Sequence, residues 1–224
     1  MRRPLRILIS AGPTREPIDP VRFLSNYSTG YMGARLSAEA LARGHQVTVV
    51  SGPISEPLPV NARVIRVERT AEMERALRRE ARRADVVIMA AAVADFRPAR
   101  HAAAKLRRRH RLRLELEATP DIVGRLPRRS GQVVVGFALE TDRVVARAKE
   151  KLRAKRLDVL LAQRLNGGGS PFGQKPVRAW LLARDGPAAP LGQRSKAKIA
   201  SALLDKIEAL WYGQSTKRRG LKQA

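Results

Sequence analysis

The chain has 224 residues, 44% of them hydrophobic, which suits one globular domain and excludes a mainly disordered chain. It contains no cysteine, so disulfides, thiolate catalysis, cysteine-ligated zinc and iron–sulfur clusters are excluded. Its 45 Lys+Arg against 20 Asp+Glu give a formal net charge of +25. Because the sequence has neither an apolar run long enough to span a membrane nor a signal peptide, we expect a cytoplasmic protein without membrane contact.

The positive charge alone is compatible with binding to nucleic acid, to an anionic membrane or to phosphorylated small molecules. The arginines are scattered along the chain, and aromatic residues are only 4%, which leaves little material for stacking against bases. We therefore expect most of this charge to be solvated surface and regard a nucleic-acid partner as the weaker alternative.

The first half of the chain alternates between strand-like and helix-like patterns. A strand, a loop, a helix and a second strand within the first fifty residues make a βαβ unit, which is expected to be parallel and right-handed. The run DVVIMAAAV is almost wholly apolar, as in the central strand of a buried sheet. Strands are predicted at 5–10, 45–50, 63–67 and 85–93, and helices at 28–42 and 71–83.

The second half begins with a basic, turn-like stretch at 97–110, followed by RLRLELE at 111–117, whose alternation predicts an exposed antiparallel strand. Thr119 is expected to cap a short helix that opens at Pro120. Further strands are predicted at 132–137, 158–161 and 177–183, helices at 144–156 and 195–210, and a flexible loop at Gly167–Gly169.

These elements predict an α/β fold with a doubly wound, mostly parallel Rossmann-like sheet, some antiparallel strands and a basic flap. One domain is expected over residues 1–212, with 213–224 as a basic, disordered tail. Such a sheet binds ligands at the carboxyl ends of its strands. The dinucleotide fingerprint GxGxxG is missing there, and Gly30 and Gly33 instead stand at a helix start. They fit either an anion site at the helix N-terminus or close helix packing.

Lysine is scarce among the basic residues, with 10 lysines in the 45, so its positions are informative. Lys151 and Lys155 lie four residues apart on one predicted helix face and are able to close on a polyphosphate together. Lys105 lies in the basic segment 97–113, which suits a lid over phosphates, although composition alone favours a solvated surface loop.

Two further polar residues are candidates for chemistry. Asn26 lies in a loop, where its amide could donate to a developing oxyanion, although Asn is also a common turn residue. Asp95 follows a buried strand, where its carboxylate could accept a hydroxyl or amine of a ligand or simply cap the chain. The three histidines show no metal-ligand spacing, and neither a Ser-His-Asp arrangement nor GxSxG is recognisable.

Several segments occur in a fixed order: ISAGPTREPIDPVRFLSNYSTGYMG, AAAVADFRP, the Lys105-Leu106-Arg107 step, TPDIV, VVGFALET and KLRAKRLDVLLA. Over roughly residues 5–210, this ordered set resembles the phosphopantothenoylcysteine synthetase domain of coenzyme A biosynthesis. The resemblance implies a ligase that joins 4′-phosphopantothenate to L-cysteine. In the bacterial type, CTP and Mg²⁺ are used to make an acyl-cytidylate and pyrophosphate, and the amine of cysteine then displaces CMP. This chemistry needs no protein nucleophile.

The resemblance also implies roles for individual positions. Asn26 matches the catalytic asparagine at the acyl carbonyl, and Lys105 matches a catalytic lysine of the flap that closes over the phosphates. Arg22 and Ala92 are implied on the substrate side, whereas no metal ligands are implied. The nucleotide-binding positions implied by the matching motifs are Met89, Ala90, Ala91, Asp95, Lys105, Pro120, Asp121, Ile122, Val123, Phe137, Lys151 and Lys155.

The sequence departs from the family pattern at a few positions near these motifs: Arg107 on the flap, Thr29 and Tyr31 at the helix start, Gln163 after a strand, and Gln174 and Lys175. The resemblance implies a homodimer. Many relatives are fused to a flavin-dependent decarboxylase that has no counterpart in this sequence, so we expect the decarboxylase either as a separate partner protein or as a part that the given sequence lacks. The alternatives are a nucleic-acid-binding module and an NAD(P)-dependent oxidoreductase on a similar sheet, against which the missing fingerprint argues.

Overall fold

The computed structural model describes residues 2–165 and 172–220, with side chains up to residue 214. The strands are β1 (Arg6–Ala11), β2 (Arg15–Pro17), β3 (Phe23–Ser25), β4 (Gln46–Ser51), β5 (Arg63–Arg66), β6 (Val86–Met89), β7 (Phe96–Pro98), β8 (Leu116–Ala118), β9 (Val133–Glu140), β10 (Val159–Arg164), β11 (Val177–Ala183) and β12 (Ala189–Arg194). The helices are α1 (Tyr31–Ala42), α2 (Thr70–Ala81), α3 (Ile122–Arg125), α4 (Val144–Ala154) and α5 (Lys196–Gly220).

An eight-stranded sheet in the order β12-β11-β10-β9-β6-β1-β4-β5 forms the centre of the molecule. The strands from β10 to β5 are parallel, and β11 and β12 extend the sheet antiparallel at one edge. Two small hairpins, β2–β3 and β7–β8, lie outside this sheet. The predicted α/β class and mostly parallel sheet are confirmed.

The two faces of the sheet are covered by different helices, because successive side chains of a strand point to opposite faces. Ile7 and Ile9 of β1 belong to a buried cluster with residues of α1 and α5, including Leu36 and Ile199. Leu8, between them, belongs to the cluster with α2, α3 and α4. No helix in the described ranges is long and apolar enough to cross a membrane.

Several predicted boundaries are wrong for local reasons. The strand expected at 85–93 ends at Met89, and the strand expected at 111–117 shrinks to β8, which finds only the three residues of β7 as a partner. Thr119 does not cap α3: its hydroxyl donates to the Ala94 carbonyl over 2.6 Å. The cap is Asp121, whose side chain accepts from the Gly124 amide.

Strands β2, β3, β7 and β12 were not predicted, and one helix extends further than expected. The β2–β3 hairpin was expected to be loop, and β12 was not anticipated. Helix α5 continues to Gly220, so the part of the expected disordered tail up to that residue is helical. The loop expected at Gly167–Gly169 and the last four residues lie outside the described residues.

Candidate active site

A cavity of about 560 Å³ opens at the carboxyl edge of the sheet. It lies at the end of β6 and along the second half of β9, at the edge where the Rossmann-like arrangement predicts a ligand. Most of the residues expected to bind nucleotide or substrate lie on its wall: Asn26, Met89, Ala90, Ala91, Ala92, Asp95, Pro120, Asp121, Ile122, Val123, Phe137, Lys151 and Lys155.

The floor of the cavity is the chain that follows β6. After Met89 the backbone leaves the sheet and is held by the loop after β1, with the Ala92 amide donating to the Gly12 carbonyl over 2.9 Å. The Ala91 amide donates to Ser10 Oγ over 3.1 Å. The Ala94 amide donates to Thr14 Oγ1 over 2.9 Å. These bonds fix the floor, and its alanine side chains leave room above it.

Glycines shape the entry to α1 in two different ways. A Cβ added at Gly33 would lie 2.5 Å from the Ala11 Cβ, so this residue allows α1 to pack closely on β1. Gly30 has φ of 86° and precedes the helix without a side-chain cap. The packing interpretation therefore holds for Gly33, and also for Gly30, where an added Cβ would lie 2.3 Å from Ile54 Cγ2. Gly30 in addition supplies a left-handed turn that the cavity-lining residues Thr29 and Tyr31 flank.

Asn26 joins the β2–β3 hairpin to the cavity floor. Its Nδ2 donates to the carbonyl oxygens of Ala92 and Val93 over 3.1 and 3.0 Å. Both hydrogens of the amide nitrogen are thus engaged in hydrogen bonds to the floor. The amide oxygen Oδ1 takes part in neither of these two bonds. The expected donation to an oxyanion therefore requires the side chain to turn away from the floor.

Arg22 and Lys105 do not line the cavity, and the structure instead couples Arg22 to the flap. The Asp19 carboxylate accepts from Arg22 Nε over 2.9 Å and also from Nη2, and Nη2 donates to the Leu106 carbonyl over 2.9 Å. The Leu106 amide returns a bond to Asp19 Oδ2 over 3.1 Å. The exposed Lys105 thus directly precedes a residue that is anchored to the hairpin turn.

Asp19 was missed by the sequence analysis, although Asp before Pro is a common turn signal. The residue is only 3% exposed, and its carboxylate also accepts from the Val21 and Arg22 amides. Mainly because Arg22 donates to it, the pKa of Asp19 lies far below its usual value. Asp19 is therefore an ionised centre that fixes both the Arg22 side chain and the flap at Leu106.

Lys151 and Lys155 lie on α4 as expected, but they differ in their partners. Lys155 Nζ donates to Asp121 Oδ2 over 2.6 Å, and this bond and the Gly124 amide lower the pKa of Asp121 against the effect of burial. Desolvation by the surrounding protein lowers the pKa of Lys151. The negative charges of Glu140 and Asp95 partly oppose this shift. A bound anion would favour the charged form of Lys151.

The cavity wall also contains two polar residues that the sequence analysis did not assign to the site. Lys196, the first residue of α5, is only 4% exposed and donates from Nζ to the Gly173 carbonyl over 2.7 Å. Burial lowers its pKa to about 8. Gln163 was noted only as a departure from a family pattern, and its buried Nε2 has no hydrogen-bond partner in the described parts of the chain. Lysine scarcity was the signal that could have found Lys196.

The fold and the site together define the class: a Rossmann-like α/β domain with a lysine-lined cavity at the carboxyl edge of its sheet. A family model described as the DNA/pantothenate metabolism flavoprotein C-terminal domain matches residues 3–210. The chain belongs to this family. The resemblance inferred from its ordered motifs is thereby confirmed.

Individual relatives agree with this membership. The chain is 40% identical over 209 residues, 91% of its length, to the coenzyme A biosynthesis bifunctional protein CoaBC of Vibrio vulnificus. It is 39% identical over 209 residues, 92% of its length, to a cysteine/cysteine sulfinic acid decarboxylase of an unknown prokaryotic organism. It spans 52% of the first relative and 58% of the second, so it corresponds to about half of these proteins.

Solved structures show the same fold. The C-terminal domain of a CoaBC protein has a TM-score of 0.77 and 35% identity, with 92% of this chain and 95% of that chain covered. A Cab2 H337A mutant in complex with phosphopantothenate-cysteine has a TM-score of 0.74 at 17% identity, covering 95% of this chain and 89% of that one. The second likeness shows the fold alone.

Proposed function

We propose that this protein joins 4′-phosphopantothenate to L-cysteine with CTP as the activating nucleotide, by way of an acyl-cytidylate. The observation that carries the proposal is the single cavity that brings together the motif residues: the floor after β6, Asn26, the α3 turn and the two lysines of α4. Membership of a family whose relatives include coenzyme A biosynthesis proteins supports it. The reaction needs charge neutralisation and positioning, which this cavity offers, and no nucleophilic side chain.

In the first step, a carboxylate oxygen of phosphopantothenate attacks the α-phosphorus of CTP, and the bond from phosphorus to pyrophosphate breaks. We assign the cavity-lining Lys151 and Lys155 to neutralising the triphosphate, and Lys105 to closing on it from the flap. Phe137 and the chain from Pro120 to Val123 would contain the base, with the segment from Met89 to Ala91 and Asp95 beside the nucleotide.

In the second step, the amine nitrogen of cysteine attacks the acyl carbonyl carbon, the carbon–oxygen bond to CMP breaks, and the nitrogen loses a proton. Asn26 and Ala92 lie at the junction of floor and hairpin, where the acyl carbonyl would be held. Arg22 is assigned to the phosphate or carboxylate of the acid substrate. A closed flap would keep water from the mixed anhydride.

Magnesium is proposed to enter with the nucleotide. In the described parts of the chain, no group of three His, Asp or Glu side chains is placed to hold a metal ion by itself. Mg²⁺ is commonly held by one or two carboxylates together with substrate phosphates, and Asp95 is a carboxylate on the cavity wall. Asp95 together with the phosphates of the nucleotide would fit that arrangement. The ion would then neutralise part of the negative charge of the phosphates.

The test is pyrophosphate release from CTP or ATP with phosphopantothenate and Mg²⁺, measured with and without cysteine. We expect release with CTP in the absence of cysteine, and phosphopantothenoylcysteine together with CMP when cysteine is added. Release with ATP alone would contradict the choice of nucleotide. Tight RNA binding without any turnover would overturn the proposal in favour of a binding module.

We also propose that the protein acts as a homodimer through its hairpins. Val21, Phe23, Tyr27 and Phe96 are between 46% and 89% exposed, an unusual concentration of large apolar side chains around packed β2 and β7. A second copy of this chain would cover this surface. Independently of the dimer, a separate decarboxylase would act on the product, phosphopantothenoylcysteine. Sedimentation equilibrium tests the dimer, which Phe23→Glu should convert to monomer; a wild-type monomer at micromolar concentration would contradict it.

A further inference from the structure

The flap that carries Lys105 is the loop of the β7–β8 hairpin. The two strands pair over three residues each, and the Ala99 amide donates to the Glu115 carbonyl over 2.9 Å, which closes a loop over residues 99–115. A two-stranded hairpin is marginal by itself, and ordering a long loop costs conformational entropy. Lys105 therefore has a defined place only if contacts from elsewhere hold the loop.

The turn between β2 and β3 supplies such contacts on both sides of Lys105. Before it in the chain, the Ala102 amide donates to the Ile18 carbonyl over 2.9 Å. After it, the Leu106 amide donates to Asp19 Oδ2 over 3.1 Å. The segment from Ala102 to Leu106, which we call the flap base, is thus bonded to the turn at both ends.

The two oxygens of the buried Asp19 have different partners. Oδ1 accepts from the Val21 and Arg22 amides, both over 2.9 Å, and so closes the turn on itself. Oδ2 accepts from the Leu106 amide and from Nε and Nη2 of the Arg22 side chain. Nη2 also donates to the Leu106 carbonyl over 2.9 Å. One oxygen therefore builds the turn, and the other joins the turn to the flap base.

The same β2–β3 hairpin carries Asn26 at its other end. Its two strands pair over three residues, a ladder about 10 Å long at the usual rise of a strand. Asn26 directly follows β3, and its bonds to the carbonyls of Ala92 and Val93 fix this end of the hairpin to the cavity floor. One short ladder thus connects Asn26 to the turn that holds Lys105.

We propose that Asp19 is a positioning residue, which sets the place of Lys105 relative to Asn26 and the cavity by holding the flap base through Oδ2. The proposal rests on the proposed function, because that function assigns Lys105 to the triphosphate. Since both ends of the flap base are bonded to the turn, Lys105 moves towards the cavity together with the turn. A flap base that is already ordered loses less freedom when Lys105 closes on a phosphate, which favours the activation step.

Asp19→Asn tests the proposal because it separates the roles of the two oxygens. The remaining oxygen can keep the two turn amides, while an NH2 group would face the Leu106 amide and Arg22. At saturating CTP and phosphopantothenate, kcat for pyrophosphate release should fall roughly tenfold, since a charge-assisted hydrogen bond that orders Lys105 is lost. Asp185→Asn, at an exposed position between β11 and β12, should leave kcat unchanged.

A double-mutant cycle distinguishes positioning from a merely structural role. In a Lys105→Gln background, Asp19→Asn should change kcat less than about twofold, because the group that Asp19 positions is gone. The rise in KM for phosphopantothenate, which acts through Arg22, should persist in both backgrounds. An equal loss of kcat with and without Lys105 would overturn the proposal.

A second variant is available if Asp19→Asn does not fold. Leu106→Pro removes the N–H that donates to Asp19 and leaves the hairpin turn intact, so it should lower kcat as Asp19→Asn does. Leu112→Pro, at an exposed flap position outside the flap base, should affect kcat far less. Equal effects of the two proline substitutions would contradict the proposal.

A protease that cuts after lysine gives a readout that needs no turnover. The peptide bond between Lys105 and Leu106 contains the N–H that donates to Asp19, so cutting it requires release of the flap base. Asp19→Asn should be cut there roughly tenfold faster than the wild type, because cleavage follows the population of the open form. An unchanged rate would overturn the proposal. If the wild type releases no pyrophosphate from CTP and yet Asp19 protects this bond, the positioning contact stands and the proposed function fails.

Discussion

Replacing Asn26 with aspartate changes one functional atom, and the structure shows what that atom contacts. Nδ2 donates to the carbonyl oxygens of Ala92 and Val93 over 3.1 and 3.0 Å. In Asn26→Asp an oxygen would face those two carbonyls, so two attractive contacts become repulsive and the side chain turns towards the cavity. The cavity then gains a negative charge where negative charge develops on the acyl oxygen.

The size of the effect follows from the two contacts and from the reaction. Each neutral hydrogen bond contributes about 0.5–1.5 kcal/mol net, and the lower end applies here because Asn26 is exposed. Losing an oxyanion donor costs about 2.7–4 kcal/mol, or roughly 10²–10³ in rate. We therefore expect the attack by cysteine to slow by up to roughly 10³-fold, and the activation step to slow less because lysines also stabilise its charge.

The assay is a single-turnover reaction quenched with acid, in which the acyl-cytidylate, pyrophosphate and product are measured separately. Asn26→Asp should accumulate the acyl-cytidylate. Asn61→Asp, the same substitution in an exposed turn, should behave as the wild type. Equal loss of both half-reactions in Asn26→Asp, or loss of neither, would refute the role assigned to this residue.

The flap and the buried charges give four further predictions. Lys105→Gln should lower turnover by orders of magnitude at unchanged melting temperature, whereas Arg108→Gln or Arg109→Gln should matter far less; equal activity would leave Lys105 as surface charge. Asp19→Asn should release Arg22 and Leu106 and raise KM for phosphopantothenate, with a wild-type KM contradicting the anchoring. Binding of inorganic tripolyphosphate to the cavity should weaken as pH rises through about 8, the pKa of the cavity-lining Lys196, and less so in Lys196→Met; the same pH dependence in both proteins would contradict this. Because this folded-state pKa lies below the unfolded value of 10.5, the unfolded chain binds more protons between the two values, so stability should rise with pH there, and it should rise less in Lys196→Met.

The central sheet could be predicted because its strands are buried on both faces. Such strands have continuous apolar sequences, as in β6 and β9. The β2–β3 hairpin was missed because each strand has three residues and β2 ends in proline. The alternation at 111–117 was misleading, since a strand also needs a partner of matching length. Local sequence pattern carries no information on which partner is available.

The same distinction between local sequence pattern and tertiary contact applies to the residues of the candidate site. Asn26, Asp121 and the α4 lysines lie within ordered motifs, so their place at the cavity could be predicted. Lys196 and Gln163 reach the cavity only because α5 packs against the sheet and β10 ends beside it, contacts that no local pattern specifies. The Asp19–Leu106 bond joins residues far apart in sequence and was equally invisible.

Lysine and arginine occupy different kinds of position in this structure, which explains why the lysine positions were informative. Of 45 basic residues 35 are arginines, yet the basic residues on the cavity wall within the described chain are Lys151, Lys155 and Lys196. Arginines instead support the fold: Arg43 binds Glu39, Asp205 and the Ser201 carbonyl. Arg128 donates to the carbonyls of the two residues that follow α4.

Chemistry favours this distribution. Arginine stays charged in any protein environment and holds a planar fork, which suits permanent bonds to carbonyls and carboxylates. The pKa of a lysine falls when surrounding protein desolvates its ammonium, as at Lys151 and at the buried Lys196, so the ammonium gains its full charge when an anion enters. Such a site is less strongly charged when empty than when occupied. An arginine at Lys196 would remove this coupling between anion binding and proton uptake, which calorimetry in buffers of different ionisation enthalpy measures directly.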